Sequence, residues 1–277
     1  MERIRKCVSN CPGEEASLLE LAAKAALAAG GILKTLYGKP HQVVHKGEID
    51  LVTEADVAAE KAVLAVLAAG RPDIKILAEE SPESHLQPFA GLNWIVDPLD
   101  GTTNFAHSFP WFAVSIGCVD EEGGLVGVIY APIQDELFLA CRGCGAWLNA
   151  APIRVSATPV LDRALLATGF PYDVREHPEP VIRAMEAMLT RCQGVRRAGA
   201  AAMDLAYLAC GRLDGFWEIK LKPWDTAAGQ LLVEEAGGTV TDFKGGKYSP
   251  FLPEIAASNG AIHPELIALL APFSEAV

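Results

Sequence analysis

The sequence predicts a mixed α+β fold, and three observations support this. Segments 15–37 and 53–69 are rich in Ala and Leu and have the apolar spacing of helices. Residues 112–155 alternate short apolar runs with glycine-containing turns, which is typical of an antiparallel meander. After Pro159, apolar strands alternate with helical segments.

The predicted helices begin or end at residues that favour helix termini. Gly38 and Pro40 follow the first helix, and Gly70 follows the second. Pro223 lies in the first turn of a later helix, where proline is readily accepted. The predicted helices cover residues 15–37, 53–69, 178–192, 200–209, 223–235 and 264–270.

The predicted strands are short apolar runs, and two of them lead directly into acidic residues. Glu79 follows the first predicted strand, and Asp97 follows the second. Outside the meander, the predicted strands cover residues 74–78, 93–96, 165–168, 215–219, 238–242 and 255–258.

The length of 277 residues fits one large domain or two closely packed ones. We place a boundary near Ala150. Residues 15–150 then form an α+β half that carries most of the candidate site, and residues 151–277 form an α/β half that completes it. Residues 1–14 are predicted to be a flexible tail.

Composition restricts the classes of partner. The net charge of −12 argues against a nucleic-acid partner, because phosphate backbones require clustered Lys and Arg. Lys24 and Lys34 interrupt the apolar stretch 18–36, so no membrane span is expected. Since the N-terminus lacks the apolar region of a signal peptide, we expect a cytoplasmic protein.

The seven cysteines are an odd number with no regular framework. Cys141 and Cys144 form a C-x-x-C, but no second Cys or His pair follows at the spacing of a zinc site. We interpret them as reduced thiols in a hairpin. Cys7 and Cys11 fall in the predicted N-terminal tail.

Acidic residues are concentrated in three stretches, 79–80, 94–104 and 224–229. In the middle stretch, Pro98 favours an extended conformation at Asp97. Gly101 and the threonines after it suit a turn into a helix start. Such a bend lets Asp97 and Asp100 converge, whereas a regular strand would direct them to opposite faces.

Two converging carboxylates repel each other by about 4 kcal/mol at ~4 Å and an effective dielectric of about 20. Either the uptake of a proton or a hard cation between them relieves this repulsion. For a cation, oxygen ligands with no nearby His or Cys favour magnesium over zinc. Backbone N–H groups of residues 101–103, at the start of a helix, would attract an anion such as phosphate. A D-P-x-D-G sequence by itself also fits an ordinary turn with solvated aspartates. Residues 102–104 and the two other acidic stretches argue against that alternative.

These motifs resemble those of the inositol monophosphatase family. Its first signature, W-x-x-D-P-x-D-G-T-x-N, matches residues 94–104, and its second, W-D-x-A-A-G, matches residues 224–229. The acidic pair that precedes the first signature matches residues 79–80, and the similarity extends from about Leu18 to about Leu270. The resemblance implies a layered α-β-α-β-α sandwich like that of fructose-1,6-bisphosphatase, with the active site between the two halves.

The resemblance also implies a site that holds two or three Mg²⁺ ions. The implied metal ligands are the carboxylates of Glu79, Asp97, Asp100 and Asp225 and the carbonyl of Leu99. Thr102 and Asp56, together with Glu79, are implied to orient and deprotonate the attacking water. By itself, Asp56 also fits a first-turn helix acid that the helix dipole favours.

The implied substrate contacts are the backbone amides of Gly101 and Thr102 for phosphate, and Gly199, Ala200, Ala201, Glu218 and Asp225 for the rest of the substrate. Position 200 usually carries Ser or Thr in the family. Its replacement by Ala removes a hydroxyl that could cap a helix or contact the ligand. Lys46 resembles a loop lysine near the metals and equally fits a solvated lysine.

The implied activity is hydrolysis of a phosphate monoester, with myo-inositol 1-phosphate as the leading substrate. Fructose 1,6-bisphosphate, alone or as a second substrate, and 3′-phosphorylated adenosine nucleotides are alternative substrates, and a non-catalytic protein-binding role is a further alternative. Lithium sensitivity and a homodimer are also implied.

Overall fold

Two β-sheets and the helices that cover them organise the chain. The computed structural model describes residues 2–8, 11–39, 43–45, 51–81 and 90–274. The helices are α1 (Glu2–Val8), α2 (Gly13–Leu36), α3 (Glu54–Gly70), α4 (Thr102–Ala106), α5 (Glu179–Leu189), α6 (Ala201–Ala209), α7 (Pro223–Glu235) and α8 (His263–Leu270). Two 3₁₀ turns cover Leu161–Arg163 and Ala271–Phe273.

The strands form a seven-stranded sheet in the order β3-β4-β5-β6-β7-β8-β9, a five-stranded sheet in the order β11-β10-β12-β14-β13, and a two-stranded β1-β2 hairpin. The strands are β1 (Val43–His45), β2 (Leu51–Thr53), β3 (Lys75–Ala78), β4 (Asn93–Asp100), β5 (Ala113–Asp120), β6 (Gly123–Ala131), β7 (Glu136–Cys141), β8 (Gly145–Leu148), β9 (Ala151–Pro152), β10 (Leu165–Thr168), β11 (Gly194–Arg196), β12 (Gly215–Ile219), β13 (Thr239–Thr241) and β14 (Glu254–Ser258). All pairs from β4 to β9 are antiparallel, as the predicted meander requires.

The layers follow the order α-β-α-β-α, which confirms the predicted fold. Helices α2 and α3 pack on one face of the seven-stranded sheet. Helices α6 and α7 lie between the two sheets and share a core with both. Helices α5 and α8 cover the outer face of the five-stranded sheet.

Small residues allow α7 to approach the seven-stranded sheet closely. A Cβ atom at Gly117 would lie 3.1 Å from Ala227, and one at Gly127 would lie 2.8 Å from the carbonyl oxygen of Ala228. Gly229 makes similar contact with Leu205 of α6, because a Cβ there would lie 2.5 Å from its side chain. The small residues of the second signature therefore fix the position of the helix that carries Asp225.

The predicted elements agree with the observed ones where apolar runs have clear boundaries. Strands β10 and β12 and helix α7 begin and end at the predicted residues. Strand β4 continues to Asp100, beyond its predicted end at Val96. Strands β1, β2 and β11 were not predicted; each has only three residues.

The N-terminal segment differs from the predicted flexible tail. It contains helix α1, in which Ile4 and Cys7 are fully buried. The guanidinium of Arg3 donates hydrogen bonds to the side chains of Asp135 (3.3 Å) and Asn149 (2.9 Å). Apolar positions three residues apart lie on one helix face, which explains why so short a segment can pack on the core.

Helix α2 is long and apolar enough, by length and composition alone, to cross a membrane, although Lys24 and Lys34 interrupt it. The sequence was expected to contain no segment of that length and apolar composition, so this expectation was wrong. Half of the apolar stretch is buried within the fold. Lys24 forms an ion pair with Glu20 at 2.8 Å. The buried face of α2, which includes Leu18, Leu19 and Leu33, packs in the core of the first half.

Candidate active site

A β-bulge in β4 brings Asp97 and Asp100 together. Asp97 pairs with Ser115 of β5 and Asp100 pairs with Ala113, so three steps along β4 correspond to two along β5. The additional residue reverses the usual alternation of side chains. The two carboxylates consequently lie close enough to repel each other.

Asp97 lies at the centre of the carboxylate group. Its side chain is buried, and its Oδ1 accepts a hydrogen bond from the Leu99 N–H at 2.9 Å. Burial raises the pKa of Asp97 well above its usual value, and the nearby carboxylates of Glu79, Asp100 and Asp225 raise it further.

Glu79 reaches this group because β3 runs parallel to β4, with Ala78 opposite Val96. The N–H of Glu79 donates to the carbonyl oxygen of Val96 at 3.2 Å, which places Glu79 beside Asp97. Three carboxylates from two adjacent strands therefore meet at one edge of the sheet.

Asp100 links the two halves of the chain. Its carboxylate accepts hydrogen bonds from the N–H groups of Ala201 (3.1 Å), Ala202 (2.8 Å) and Met203 (3.3 Å) at the start of α6. Burial, followed by the charge of Asp225, raises the pKa of Asp100 to about 7, although the three N–H groups act in the opposite direction.

The same contacts change the interpretation of positions 200 and 201. Ala200 is the N-cap residue of α6 and has no side-chain cap, as its replacement of Ser or Thr predicts. Asp100 supplies the missing acceptor from another segment. The N–H of Ala201 is already used by Asp100, so the predicted substrate contact at this residue does not involve that N–H group.

Asp56 and Thr102 are joined by a hydrogen bond. The Thr102 hydroxyl lies 2.8 Å from Oδ1 of Asp56 and 3.1 Å from the carbonyl oxygen of Leu99. The other oxygen of Asp56 accepts from the N–H and hydroxyl of Thr53, which caps helix α3. Burial raises the pKa of Asp56, and these hydrogen bonds partly oppose the increase. Asp56 therefore has both of the contacts considered for it, a helix cap and a link to Thr102.

The backbone at position 101 requires glycine. Its φ is +93°, and a Cβ atom there would lie 2.9 Å from the carbonyl oxygen of Trp111. The first hydrogen bond along the α4 backbone runs from Phe105 N–H to the Gly101 carbonyl oxygen. The N–H groups of Gly101, Thr102 and Thr103 precede it in the chain, where helix N–H groups have no partner within the helix.

The second half contributes Asp225 and Glu218. Asp225 lies in the first turn of α7, where it accepts a hydrogen bond from the Lys222 N–H at 2.6 Å. Glu218 is buried on β12. Burial raises its pKa well above the usual value, and the charges of Asp225 and Asp204 add to this effect.

A cavity of about 230 Å³ lies between the halves. Asp100, Gly101, Thr102, Gly199, Ala200, Ala201, Glu218 and Asp225 all line it. Asp56, Glu79, Asp97 and Leu99 do not contribute to its lining. Asp56 and the carbonyl of Leu99 contact the Thr102 hydroxyl, and Asp97 lies near the charges of Asp100, Asp225 and Glu79. A larger cavity of about 330 Å³ is lined largely by apolar side chains such as Leu77, Ile95 and Phe251, and by none of the predicted site residues.

Sequence reasoning missed Arg197 and Gly169. The Arg197 guanidinium lies 4.8 Å from the centre of the Phe170 ring, lines the cavity and lowers the pKa of the Glu218 carboxyl. A Cβ atom at Gly169 would lie 2.1 Å from a Glu218 oxygen, so a side chain there would displace the Glu218 carboxylate. The pair of arginines before Gly199 was the available signal for Arg197. Gly169 had no such signal, because its partner lies far along the chain.

Two further positioning contacts were also missed. Glu60, one turn after Asp56 on α3, accepts from the Glu80 N–H at 2.8 Å and from the Ser81 hydroxyl at 2.9 Å, which holds the turn after β3. Asn104 donates to the carbonyl oxygen of Ala198 at 2.8 Å and connects α4 to the loop before α6. The spacing of four residues between two acids on α3 could have indicated Glu60. The predicted Lys46 lies outside the described residues.

The donor set fits a hard divalent cation. The group comprises four carboxylates from β4, the end of β3 and α7, and it offers only oxygen atoms. A cation among these side chains would reverse the repulsion that disfavours their charged forms.

Comparison with known proteins agrees with this geometry. The sequence profile of the inositol monophosphatase family matches residues 14–275. The chain belongs to the inositol monophosphatase family. This match confirms the resemblance found in the motifs. It also shows that the chain is similar to phosphatases.

Two relatives and one solved structure illustrate the range within this family. An inositol-1-monophosphatase of Synechocystis sp. is 46% identical over 94% of this chain and 91% of its own length. Nus factor SuhB of Salmonella typhimurium is 43% identical over 91% of this chain and 94% of its own length. The inositol monophosphatase structure from Anabaena superimposes with a TM-score of 0.83 at 43% identity, covering 92% of this chain and 95% of that one.

Proposed function

We propose that the chain is a Mg²⁺-dependent phosphatase of small polyol monophosphates, with myo-inositol 1-phosphate as its leading substrate. The observation that carries the proposal is the meeting of Glu79, Asp97, Asp100 and Asp225 beside a cavity that both halves line. The name of the Synechocystis relative supports the choice of substrate.

Glu79, Asp97, Asp100 and Asp225 would hold the magnesium, together with the carbonyl of Leu99. When bound, Mg²⁺ lowers the pKa of water and stabilises the charge that develops on the leaving oxygen. Phosphate monoesters hydrolyse extremely slowly in water, so a very large rate enhancement is required. A group of buried carboxylates that repel one another is suited to concentrating divalent charge at that point.

Thr102 and Asp56 would orient the attacking water. When the single hydroxyl proton of Thr102 points to Asp56, 2.8 Å away, the lone pairs of Thr102 Oγ1 are available to accept a hydrogen bond from water. A water that donates this hydrogen bond is held in one orientation, in which a lone pair of its oxygen would face the phosphorus of a bound ester. Glu79 would accept the second proton of the water as the water oxygen bonds to phosphorus and the ester P–O bond breaks, and that proton would then pass to the leaving polyol oxygen.

The substrate's phosphate and its polyol would occupy different parts of the cavity. The phosphate would bind at the N–H groups of Gly101 and Thr102, near the carboxylate group. The polyol would extend toward Glu218 and Arg197, which line the same cavity. A carboxyl group can form hydrogen bonds with two adjacent hydroxyls, and the guanidinium of Arg197 is a donor to the same hydroxyls. A volume of about 230 Å³ favours a small polyol over a nucleotide.

A phosphate-release assay with magnesium tests this proposal. We expect turnover of myo-inositol 1-phosphate to exceed that of fructose 1,6-bisphosphate and of adenosine 3′,5′-bisphosphate, and to stop in excess chelator. Preference for either alternative would reject the proposed substrate. Activity that persists in chelator would reject the metal requirement.

Lithium inhibition and a homodimer stay predictions of the family resemblance. A cytoplasmic location and the absence of nucleic-acid and membrane partners stay predictions of the composition and of the N-terminal sequence. Sedimentation of the purified chain tests the dimer, and activity in lithium chloride tests the inhibition.

A protein-binding role is the second candidate, because a relative of 43% identity is named Nus factor SuhB. The variant Asp97→Asn separates the two candidates. It should abolish hydrolysis and leave a purely binding function intact.

A further inference from the structure

Three cysteines from two distant parts of the sequence meet in the first half of the chain. Cys11 precedes α2, Cys141 ends β7, and Cys144 lies in the turn between β7 and β8. Their sulfur atoms all lie within 4.8 Å of one another. None of them belongs to the carboxylate site or lines the cavity beside it.

The hairpin holds two of these thiols in fixed positions. The Cys144 N–H donates to the carbonyl oxygen of Cys141 at 2.9 Å, which closes a tight turn. The carboxylate of Glu235, at the end of α7, accepts from the N–H groups of Gly143 and Gly145, both at 2.7 Å. A turn held on both sides by one carboxylate is preorganised, so a ligand need not order it.

The third thiol is supplied by the N-terminal segment. The N–H of Cys11 donates to the carbonyl oxygen of Val8 at 3.0 Å, which continues the chain from α1. Helix α1 is itself held against the β7–β8 hairpin, since Arg3 contacts Asp135, just before β7, and Asn149, just after β8. Docking of α1 therefore brings Cys11 to the hairpin.

The surroundings determine what this cluster can bind. Cys141 is fully buried, whereas Cys11 and Cys144 are half-buried, so solvent and small ions have access from one side. Burial raises the pKa of the Cys11 thiol to about 11, and it raises the pKa of Cys141 further. The thiols of Cys11 and Cys141 are accordingly protonated at neutral pH unless a cation replaces their protons.

We propose that Cys11, Cys141 and Cys144 form a three-thiolate site for a thiophilic d¹⁰ cation of the Zn²⁺, Cd²⁺ and Cu⁺ class. Thiolate ligands select such ions over the hard cations that carboxylates prefer. A divalent ion M²⁺ with three thiols gives [M(SR)₃]⁻ and releases three protons, with no change of oxidation state. Solvent on the exposed side can provide a fourth ligand where the ion requires four. The bound ion would join the N-terminal segment to the hairpin.

The spacing of the C-x-x-C motif could not reveal this site, because its third ligand lies 130 residues before Cys141 (141 − 11 = 130).

Titration with Cd²⁺ tests the proposal. The full chain is kept reduced by a phosphine and contains excess Mg²⁺ to occupy the carboxylate site. Thiolate–cadmium bonds give a near-ultraviolet charge-transfer band that carboxylate ligands do not produce. We expect this band to saturate at one ion per chain.

Two variants and two controls make the result specific. Cys11→Ser and Cys144→Ser change half-buried positions, and each should weaken Cd²⁺ binding at least about tenfold, because even outer-shell changes cost that much. Cys192→Ser and Cys210→Ser lie outside the cluster and should bind as the parent does. Circular dichroism and phosphate release confirm that each variant is folded. Absence of the band in the parent chain would overturn the proposal, as would an unchanged band in Cys11→Ser.

Discussion

The two halves of the chain present acidic residues to the same cavity in different electrostatic settings. In the first half, the Asp97 carboxylate is surrounded by Glu79 and Asp100 and is further opposed by Asp225. In the second half, Glu218 is equally buried, but the guanidinium of Arg197 lies near enough to favour its charged form. In the proposed function, a cation from solution balances the first group, whereas the second is partly balanced by Arg197.

This difference separates two tasks. A site that acquires its positive charge from solution is suited to chemistry at phosphorus, where charge develops in the transition state. A site with its own acid and base is suited to recognising hydroxyl groups. We therefore expect changes in the first half to reduce kcat and changes near Glu218 to alter substrate preference.

Asp97→Asn should give the largest effect on activity. The amide keeps the shape of the side chain and can accept the Leu99 N–H bond, but it removes one negative charge from the cation site. We expect kcat to fall roughly 10³-fold, which corresponds to about 4 kcal/mol. Asp162→Asn, at a side chain that is 77% exposed, is the matched control and should retain full activity. Comparable rates for Asp97→Asn and the parent chain would contradict the role assigned to the first half.

Asp56→Asn should reduce kcat by about 100-fold, because the Thr102 hydroxyl loses the charged acceptor that orients it. Steady-state phosphate release at saturating substrate measures this effect. Thr102→Ser keeps the hydroxyl and should remain within a few-fold of the parent, whereas Thr102→Val should match Asp56→Asn. Equal activities of Thr102→Ser and Thr102→Val would show that the hydroxyl has no part in the reaction.

Glu218→Gln should change preference and leave the chemistry intact. Loss of a hydrogen bond that a hydroxyl donates to a charged carboxylate costs about 1.5–3 kcal/mol, so discrimination should fall about tenfold or more. The measurement is the ratio of kcat/KM for myo-inositol 1-phosphate to that for p-nitrophenyl phosphate, which has no polyol. A similar loss for both substrates would place Glu218 in the chemistry rather than in recognition.

Ala200→Ser should have the smallest effect, and it examines the contact that joins the two halves. A new N-cap hydroxyl usually contributes about 1 kcal/mol to stability. Here Asp100 already accepts from the first three N–H groups of α6, so we expect a gain below about 0.5 kcal/mol in urea unfolding. A gain of 1 kcal/mol or more would show that these N–H groups lack an effective acceptor.

Local sequence signals predicted much of the fold. Strands β10 and β12 and helix α7 agree with the prediction because glycine, proline and apolar runs mark their ends. The resemblance of the motifs supplied the layer order and the identities of the four carboxylates. These features depend on residues close together in the sequence or on patterns already known for a family.

Long-range contacts account for what the sequence did not show. The local pattern predicted that Asp97 and Asp100 converge through a bend, but the bulge that aligns them depends on the register with β5, which no pattern within β4 reveals. The N–H bonds from α6 to Asp100 connect positions about 100 residues apart. Gly169 is explained only by its contact with Glu218, and Cys11 only by its contact with the β7–β8 hairpin.

Thermal unfolding with and without Mg²⁺ is the most direct test of whether the four carboxylates form one cation site. Only the folded chain assembles these side chains, so magnesium at about 100 times its Kd should add about 2.7 kcal/mol of stability and raise Tm by roughly 5 °C or more. Asp97→Asn should lose most of this increase. Identical Tm values for the parent chain in chelator and in saturating Mg²⁺ would contradict a shared cation site.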